Sequence, residues 1–398
     1  MAGPTTGPVS VVTWRSESVG ALLPVDRLYS VGVVVKDLGA ATRRYAEIFG
    51  IDRWEVRRFG PERLTDVLAH GRPVTPGFRT ATGTTRVPPP SGHPLAGPLS
   101  VPVTFELVQP LAGESPFQEF RFVRGQGVSH LALAVQDEAA FEATRRRLAE
   151  RGIPIAASMT VDGRLRRHFI DTRKTLGGYL VEVRVPLGST AASGPDLLDL
   201  APDEVWDHSG AYTRPDGVGP LPVSGVSHFG VVVHDLMESL RRYHEILGVE
   251  RWAIRDWRTE PGLLENAFYR GEPVEHEYFT GLTPFQDFGF EVIQPTFGPS
   301  HYNREFRDRY GEGVHHMLLH IETDPEAWDR TRRWLASIGV PLAMGADLMG
   351  GATAFCYHDT WAALGGYIVE GVLRRERPDP ELAAPEYHID FAAVTASL

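Results

Sequence analysis

Four residues in the second half of the chain have the types and spacing of a metal site. They are His228, Glu291, His316 and Glu370, and the two His–Glu separations are similar, 63 and 54 residues. Each pair joins a polar residue of a first strand to one of a last strand, so packing about a pseudo-two-fold axis would bring all four to one point. Two imidazole nitrogens and two carboxylate oxygens suit a divalent first-row metal, and an octahedral ion would keep two positions for water or substrate. The pattern predicts one metal ion per chain.

Each of the four residues, taken alone, has an ordinary explanation. A single strand histidine is more often a hydrogen-bonded core or surface residue than a ligand, and a glutamate after an apolar run is usually a solvated strand end. Their joint recurrence favours a shared site, because a charged residue in an apolar strand is costly unless it is paired or metal-bound. His315 and His316 are adjacent and face opposite sides of a strand, so only one can enter the site. Alignment on the apolar residue five positions later selects His316.

The equivalence of these positions depends on a tandem duplication. PVSGVSHFGVVVHDLMESLRRYHEILGVERW (222–252) repeats PVDRLYSVGVVVKDLGAATRRYAEIFGIDRW (24–54), and FEVIQP, GEGVHHMLLHI and LGGYIVEG also have earlier counterparts. Each copy divides again, because His228, His316 and His130 are each followed by an apolar residue five positions later. The sequence therefore predicts four related quarters.

Each quarter is predicted to be a βαβββ module. Residues 28–35 have a β-branched strand pattern, and 37–50 follow with an N-terminal Asp, apolar residues at helical spacing and a terminal Gly. The same signals recur over 228–248. Shorter strands follow in each copy and end with TFELVQP (104–110) or FGFEVIQP (288–295), where proline is expected to stop the strand.

The duplication predicts two domains in a chain of 398 residues. The predicted segments are an N-terminal arm (1–23), an N-terminal domain (24–186), a linker rich in Gly, Pro, Ser and Asp (187–222), a C-terminal domain (223–374) and a C-terminal arm (375–398). The first copy has extra residues at RVPPPSGHPLAGPLS (86–100), which is most simply a surface loop, with a lid over a pocket as the alternative.

Composition excludes several classes of protein. The hydrophobic share of 42% and the charged share of 23% are ordinary for a globular protein. The longest apolar runs are far below the roughly 18 residues that span a bilayer, and no secretory signal is visible, so we expect a cytoplasmic protein that does not bind membranes. A net charge of −11 without a long Lys/Arg run argues against nucleic acid as a partner. The single cysteine, Cys356, excludes an intramolecular disulfide and a cysteine-rich metal site.

The repeated segments resemble the vicinal oxygen chelate superfamily. VSHFGVVVHDL, FEVIQP, GEGVHH and LGGYIVE look most like its glyoxalase I and methylmalonyl-CoA epimerase branch, over roughly 25–186 and 223–374. The resemblance implies an α+β fold in which four βαβββ modules form two half-open barrel domains. It also implies that the same two histidines and two glutamates of the second copy are the ligands of one divalent metal ion, which could be Mn, Co, Ni, Zn, Mg or Fe(II).

The first copy departs from this pattern. Its residues at the four positions are Ser30, Glu106, His130 and Glu182, so one imidazole is missing, and a serine hydroxyl is a poor ligand for a transition metal. A weaker three-ligand metal site, a structural partner without metal and a pocket for a small molecule are all open. If Ser30 alone disabled this copy, Ser30→His should restore a second metal.

His358 is a further candidate for catalysis, because its counterpart in the first copy is the apolar Ile170. It would donate a hydrogen bond to the substrate, or it would contact a metal ligand on the side away from the metal. Four other polar residues are also confined to the second copy, although positions exposed to solvent would explain them as well: His276, His301, Tyr302 and Tyr357.

The resemblance implies a metal-dependent isomerase, epimerase or lyase. A small-molecule substrate with neighbouring oxygens would chelate the metal, which would stabilise an enolate formed by proton removal α to a carbonyl. Glu291 or Glu370 would move the proton. Formation of a homodimer is left open.

Two other functions stay open. His228, His316 and Glu370 alone would form a two-His-one-carboxylate site for Fe(II) oxygen chemistry, as in extradiol and 4-hydroxyphenylpyruvate dioxygenases. Glu291 argues against this, because it occupies a position that such iron sites leave open. A non-catalytic binding protein resembling bleomycin-resistance proteins is the other alternative, although those usually lack a complete ligand set.

Overall fold

The computed structural model describes residues 10–16, 20–89, 91–97, 99–188 and 200–393. The predicted arms and linker therefore lie partly outside the described residues. Within them, the chain forms two large mixed sheets of eleven and twelve strands. No helix in this described part of the chain is long and apolar enough to cross a membrane.

The first sheet comes from the first copy and the segment that follows it. Its strands are β2 (Ser30–Val34), β3 (Arg53–Phe59), β4 (Leu64–Ala69), β5 (Arg72–Pro73), β6 (Gly77–Thr84), β7 (Thr104–Ala112), β8 (Gly127–Val135), β9 (Ile155–Val161), β10 (Leu165–Ile170), β11 (Leu180–Pro186) and β12 (Glu204–Asp207). Its helices are α1 (Leu38–Phe49), α2 (Pro116–Arg124) and α3 (Glu138–Glu150).

The second sheet comes from the second copy and both terminal segments. Its strands are β1 (Ser10–Ser16), β13 (His228–Val232), β14 (Arg251–Arg258), β15 (Leu264–Tyr269), β16 (Glu272–Pro273), β17 (Glu277–Phe285), β18 (Phe288–Phe297), β19 (Gly313–Glu322), β20 (Leu342–Leu348), β21 (Thr353–His358), β22 (Ile368–Arg374) and β23 (Tyr387–Ala393). The helices are α4 (Leu236–Leu247), a π-helix (His301–Arg307), α5 (Asp308–Tyr310), α6 (Pro325–Ser337), α7 (Trp361–Leu364) and α8 (Pro380–Ala383). β1 pairs with β23, so part of each predicted arm is a strand.

Both sheets are built from two modules joined at their first strands. In the second sheet the order β14-β17-β18-β13 comes from one quarter and β19-β22-β21-β20 from the next, and β13 pairs antiparallel with β19. A hairpin, β15–β16, leaves the first of these quarters and pairs with β20. The first sheet repeats this arrangement through the pairing of β2 with β8 and of β4 with β9. The predicted α+β fold of two half-open barrels, each made of two βαβββ modules, is confirmed.

Local signals determine where the first helix of each copy begins and ends. Asp37 accepts a hydrogen bond from the Ala40 N–H, and Gly50 ends α1 in the left-handed region at φ 68°. Asp235 and Gly248 do the same for α4, with φ 78° at the glycine. These boundaries confirm the helix predictions.

The expectation that proline stops the strands is wrong. β7 and β18 each run two residues past Pro110 and Pro295. In both cases the register with the neighbouring strand shifts at the proline. A missing N–H is tolerated at such an irregularity, so the strand continues.

The two copies pack against each other through their first helices. Tyr45 of α1 donates a hydrogen bond to the carbonyl of Leu364, and Tyr243 of α4 donates to the carbonyl of Leu176. Each helix is thereby tied to the LGGY turn of the other copy. These tyrosines and the tryptophans in edge contact with them are fully buried, as expected of core residues: Tyr45, Tyr243, Trp54 and Trp252.

The long loop of the first copy lies against the second copy. The Val101 N–H donates to the Ser224 carbonyl at 2.9 Å, and Arg374 donates to the Leu95 carbonyl at 3.1 Å. Loop and second copy enclose a cavity of about 520 Å³, which is lined on the second copy by residues such as Phe288. The residues that line this cavity include none of the four predicted metal ligands.

Candidate metal centre

Four neighbouring strands of the second sheet carry the four predicted ligands. The strand order β18–β13–β19–β22 holds Glu291, His228, His316 and Glu370 in turn. Their ligand atoms all lie within 4.8 Å of one another. The structure therefore brings together residues that are up to 142 positions apart in the sequence.

The donor atoms converge at distances that suit a single ion. Oε2 of Glu370 lies 2.9 Å from Nε2 of His228 and 3.4 Å from Nε2 of His316. Oε2 of Glu291 lies 3.5 Å and 3.4 Å from the same two nitrogens, which are 3.4 Å apart. Donors about 2.1 Å from an ion would be roughly 3.0 Å apart at right angles and roughly 3.4 Å apart at tetrahedral angles. The observed spacings match this range, so the donor set fits a divalent metal.

The two carboxylates give this cluster an excess of negative charge, which favours the binding of a cation. Burial alone would raise the pKa of Glu370, but the hydrogen bonds and charges of His228 and His316 lower it to about 2. Burial alone would lower the pKa of His316, but Glu291 and Glu370 raise it to about 9. Both shifts arise because the carboxylates of Glu291 and Glu370 attract positive charge, which a divalent cation would supply.

A glycine makes room for the His316 ring. A Cβ atom at Gly230, which pairs with His316 across the strands, would lie 1.9 Å from Cε1 of the imidazole. Gly32 and His130 have the same relation in the first copy, also at 1.9 Å. This role was not predicted from the sequence, although the glycine is identical in both copies and stands in the repeated segments.

His315 lies beside His316 and not on the opposite face of the strand as expected, because the register with β13 shifts between Val314 and His316. Nδ1 of His316 lies 3.0 Å from Nδ1 of His315, whose Nε2 lies 2.8 Å from Nδ1 of His301. Burial lowers the pKa of His315 far below its usual value and that of His301 to about 4, so both rings are neutral at pH 7. This contact leaves Nε2 of His316 directed at the other three residues, as is usual for a histidine that binds a metal.

The other polar residues that are confined to the second copy do not lie on the surface. All four are buried, with at most 2% of each exposed: His276, His301, Tyr302 and Tyr357.

His358 does not reach the cluster. Tyr357 pairs with Glu370 across the strands and its ring contacts His316, so alternation directs His358 to the opposite face of β21. There its Nε2 lies 3.8 Å from Sγ of Cys356, which is also buried. Burial, assisted by the charge of Arg332, lowers the pKa of His358 to about 3. His358 therefore lies on the face of β21 opposite to the four ligands.

In the first copy an arginine fills the centre of the equivalent cluster. Arg167 donates to both oxygens of Glu106 at 2.9 and 2.8 Å and to both oxygens of Glu182 at 2.6 and 3.0 Å. Arg184 donates to Oγ of Ser30 at 2.7 Å and to Glu182 at 3.1 Å. Burial would raise the pKa of Glu182, but Arg167, followed by Arg184, lowers it to about 2. Two guanidinium charges thus balance two carboxylates without a metal.

The strand register shows what replaces these arginines in the second copy. Glu182 pairs with Phe169, and Glu370 pairs with Tyr357, so Arg167 corresponds to Phe355. By the same offset, Val372 stands in the place of Arg184. The second copy therefore has the carboxylates but apolar residues where the first has its arginines.

Ser30 is therefore not the only departure in the first copy. The expectation that Ser30→His alone restores a metal site is wrong in its premise, because Arg167 and Arg184 also differ from the second copy. Glu106, His130 and Glu182 do lie within 4.8 Å of one another, but both carboxylates are already paired with Arg167. The signal that sequence analysis missed was a pair of charged residues within otherwise buried strands.

Comparisons with known proteins match the first copy to a family. Residues 30–170 match the model of the glyoxalase/bleomycin resistance protein/dioxygenase superfamily. A search of curated protein sequences gives no significant match. A mutant 4-hydroxymandelate synthase from Streptomyces coelicolor has a similar structure, with a TM-score of 0.49 and 14% identity over 90% of this chain and 95% of that chain. A Mn(II)-bound glyoxalase from Novosphingobium aromaticivorans gives a TM-score of 0.40 and 14% identity over 93% of this chain and 88% of that chain.

Proposed function

We propose that the second copy is a metal-dependent enzyme that moves a proton, and that residues 30–170, which match the model of the glyoxalase/bleomycin resistance protein/dioxygenase superfamily, are a domain of that superfamily. The proposal is supported by the difference between the copies in the groups that face the two carboxylates. Glu106 and Glu182 are neutralised by two buried arginines, whereas Glu291 and Glu370, at the equivalent positions, face two histidines. A divalent cation completes the charge balance in the second copy alone.

The four residues of the second copy would hold the ion as an N₂O₂ set. This mixture of imidazole and carboxylate suits Mn, Co, Ni, Zn, Mg or Fe(II). When bound, the ion would supply a Lewis acid that polarises a substrate carbonyl next to a second oxygen.

Glu291 is the better candidate to carry the proton. Its carboxylate lies 3.4 and 3.5 Å from the two imidazole nitrogens and its side chain is 16% exposed, whereas Glu370 lies 2.9 Å from His228 and is 8% exposed. Glu291 is therefore the carboxylate that can turn towards a substrate while the other three residues stay in place. It would take the proton from the carbon α to the carbonyl.

Return of that proton determines the reaction class. Delivery to the opposite face of the same carbon is an epimerisation, and delivery to a neighbouring atom is an isomerisation. Loss of a group from the β carbon after the same first step is a lyase reaction. In all three cases the substrate gives up no electrons, so no oxidant is consumed.

We predict that turnover is independent of dioxygen. A panel of 2-hydroxy ketones and 2-oxo acids in D₂O, followed by NMR under argon and under air, measures exchange of the α proton. Exchange at the same rate in both atmospheres is the expected result, and Glu291→Gln should slow it by about 10²–10⁴-fold, the usual contribution of a general base.

Two other outcomes would replace the proposal. Consumption of oxygen with Fe(II), together with no exchange of the α proton under argon, would favour a dioxygenase. Its iron ligands would be His228, His316 and Glu370. Ligand binding without chemistry in either atmosphere would favour a non-catalytic binding protein.

A further inference from the structure

Three buried tyrosines beside the metal cluster have phenylalanines as counterparts in the first copy. Strand register and helix position define the pairs. Tyr278 and Phe78 lie opposite the prolines of β18 and β7, and Tyr357 and Phe169 lie opposite the glutamates of β22 and β11. Tyr302 and Phe117 each stand second after the serine cap of a helix.

The two trios pack in the same way. In the first copy the ring centroids are 5.0 Å apart for Phe78 and Phe117 and 5.4 Å apart for Phe117 and Phe169. In the second copy the matching distances are 5.1 Å and 5.6 Å. The same cluster of three rings in edge-to-face contact therefore forms with or without hydroxyl groups, so packing does not require them.

Buried hydroxyl groups are costly unless they have partners. Oη of Tyr302 and Oη of Tyr357 are 2.5 Å apart, and the ring of Tyr357 lies 4.8 Å from that of His316. One proton of this pair is used between the two oxygens, and the other remains to be donated to the hydroxyl of Tyr278, which also lies beside Tyr302, or to a bound molecule. A phenol is protonated at neutral pH, so both hydroxyl groups can donate.

The hydroxyl groups occur together with the metal ligands. The copy with two histidines has three phenols, and the copy with two arginines has three plain phenyl rings. This joint change indicates that the hydroxyl groups serve whatever binds at the metal, because the fold of the other copy shows that the barrel does not need them.

We infer that Tyr278, Tyr302 and Tyr357 form one wall of the substrate site and that the Tyr302–Tyr357 pair donates a hydrogen bond to the metal-bound oxygen of the substrate. This inference rests on the proposed function. The wall offers neutral donors and aromatic faces, so it fits a small oxygen-rich molecule such as a hydroxy ketone or its enolate, not a phosphate ester. A negative charge that develops on the carbonyl oxygen would be stabilised there.

The test uses acetohydroxamate, which binds metals through two neighbouring oxygens. Titration into the Co(II)-loaded full chain, followed by the visible spectrum, gives its affinity for the wild type, Tyr302→Phe, Tyr357→Phe and the double variant. The first copy already holds phenylalanine at these positions, so we expect every variant to fold and to keep one Co(II). Acetohydroxamate should bind the double variant about tenfold more weakly, the usual effect of one lost hydrogen bond.

The control is Tyr179→Phe, which removes the hydroxyl of a buried tyrosine at the contact between the two copies. It should leave the affinity for acetohydroxamate unchanged. Unchanged affinity in the double variant, with full metal content, overturns the inference but leaves the proposed function standing. Loss of metal from the phenylalanine variants would assign the phenols to metal retention and also overturn it. A wild type without Co(II) overturns both.

Discussion

Arg167→Phe is expected to destabilise the protein by about 3–5 kcal/mol, which is the usual cost of removing one partner of a buried ion pair. The variant places in the first copy the residue that the second copy has at this position. Glu106 and Glu182 would remain buried, and four hydrogen bonds of 2.6 to 3.0 Å would be lost. Urea-induced unfolding of the wild type and the variant measures the difference.

The effect should depend on pH in a defined direction. The pKa of Glu182 is lowered in the folded protein from 4.5 to about 2. A lowered carboxyl pKa stabilises the fold above the unfolded pKa, and this stabilisation is lost as the pH falls through the folded value. The difference between wild type and Arg167→Phe should therefore be full at pH 7 and shrink between about pH 4.5 and pH 2.

Arg166→Ala is the matched control, because Arg166 is the neighbour on the other face of β10. Its side chain is 30% exposed and pairs with Glu138 at 2.9 Å. A surface ion pair of this kind contributes at most about 1 kcal/mol. An equally small effect for Arg167→Phe would contradict the claim that the guanidinium balances the buried carboxylates.

The triple variant Ser30→His, Arg167→Phe, Arg184→Val is expected to bind a second metal ion. It gives the first copy the second copy's residue at each of the three positions, while Glu106, His130 and Glu182 supply the other donors. Metal analysis after equilibration with Co(II) and desalting should give two ions per chain, against one for the wild type. Ser30→His alone should stay at one, because Arg167 still occupies both carboxylates.

Two results would contradict this explanation of the first copy. If Ser30→His alone bound a second ion, the arginines would not be what excludes the metal. If the triple variant folded but stayed at one ion, some further difference between the copies would have to keep the metal out.

The duplication made the four ligand positions predictable. Quarters with the same sequence pattern fold into the same module. A polar residue that recurs in the first and last strands of these modules must therefore recur at one place in the barrel. The caps of α1 and α4 were predictable for a simpler reason, since Asp37 and Gly50 act only on residues next to them. Both kinds of inference need no knowledge of which strands are neighbours.

The predictions that failed depended on contacts between strands. Arg167 and Arg184 could not be placed, because a charged strand residue is normally expected to face solvent until its partner strand is known. His358 was chosen for its identity, but the pairing of Tyr357 with Glu370 decides which face it occupies. A shift of one residue exchanges the two faces of a strand, and a sequence without its cross-strand register does not resolve that choice.

The metal content of the purified full chain tests the central claim most directly. Wild type, His316→Ala and His130→Ala, which removes the equivalent histidine of the first copy, are each equilibrated with Co(II), desalted and analysed for metal and protein. We predict one ion per chain for the wild type and for His130→Ala, and almost none for His316→Ala, because only the second copy has an N₂O₂ donor set without a buried arginine. A wild type that holds no ion, or a His316→Ala variant that keeps its full complement, would contradict the account.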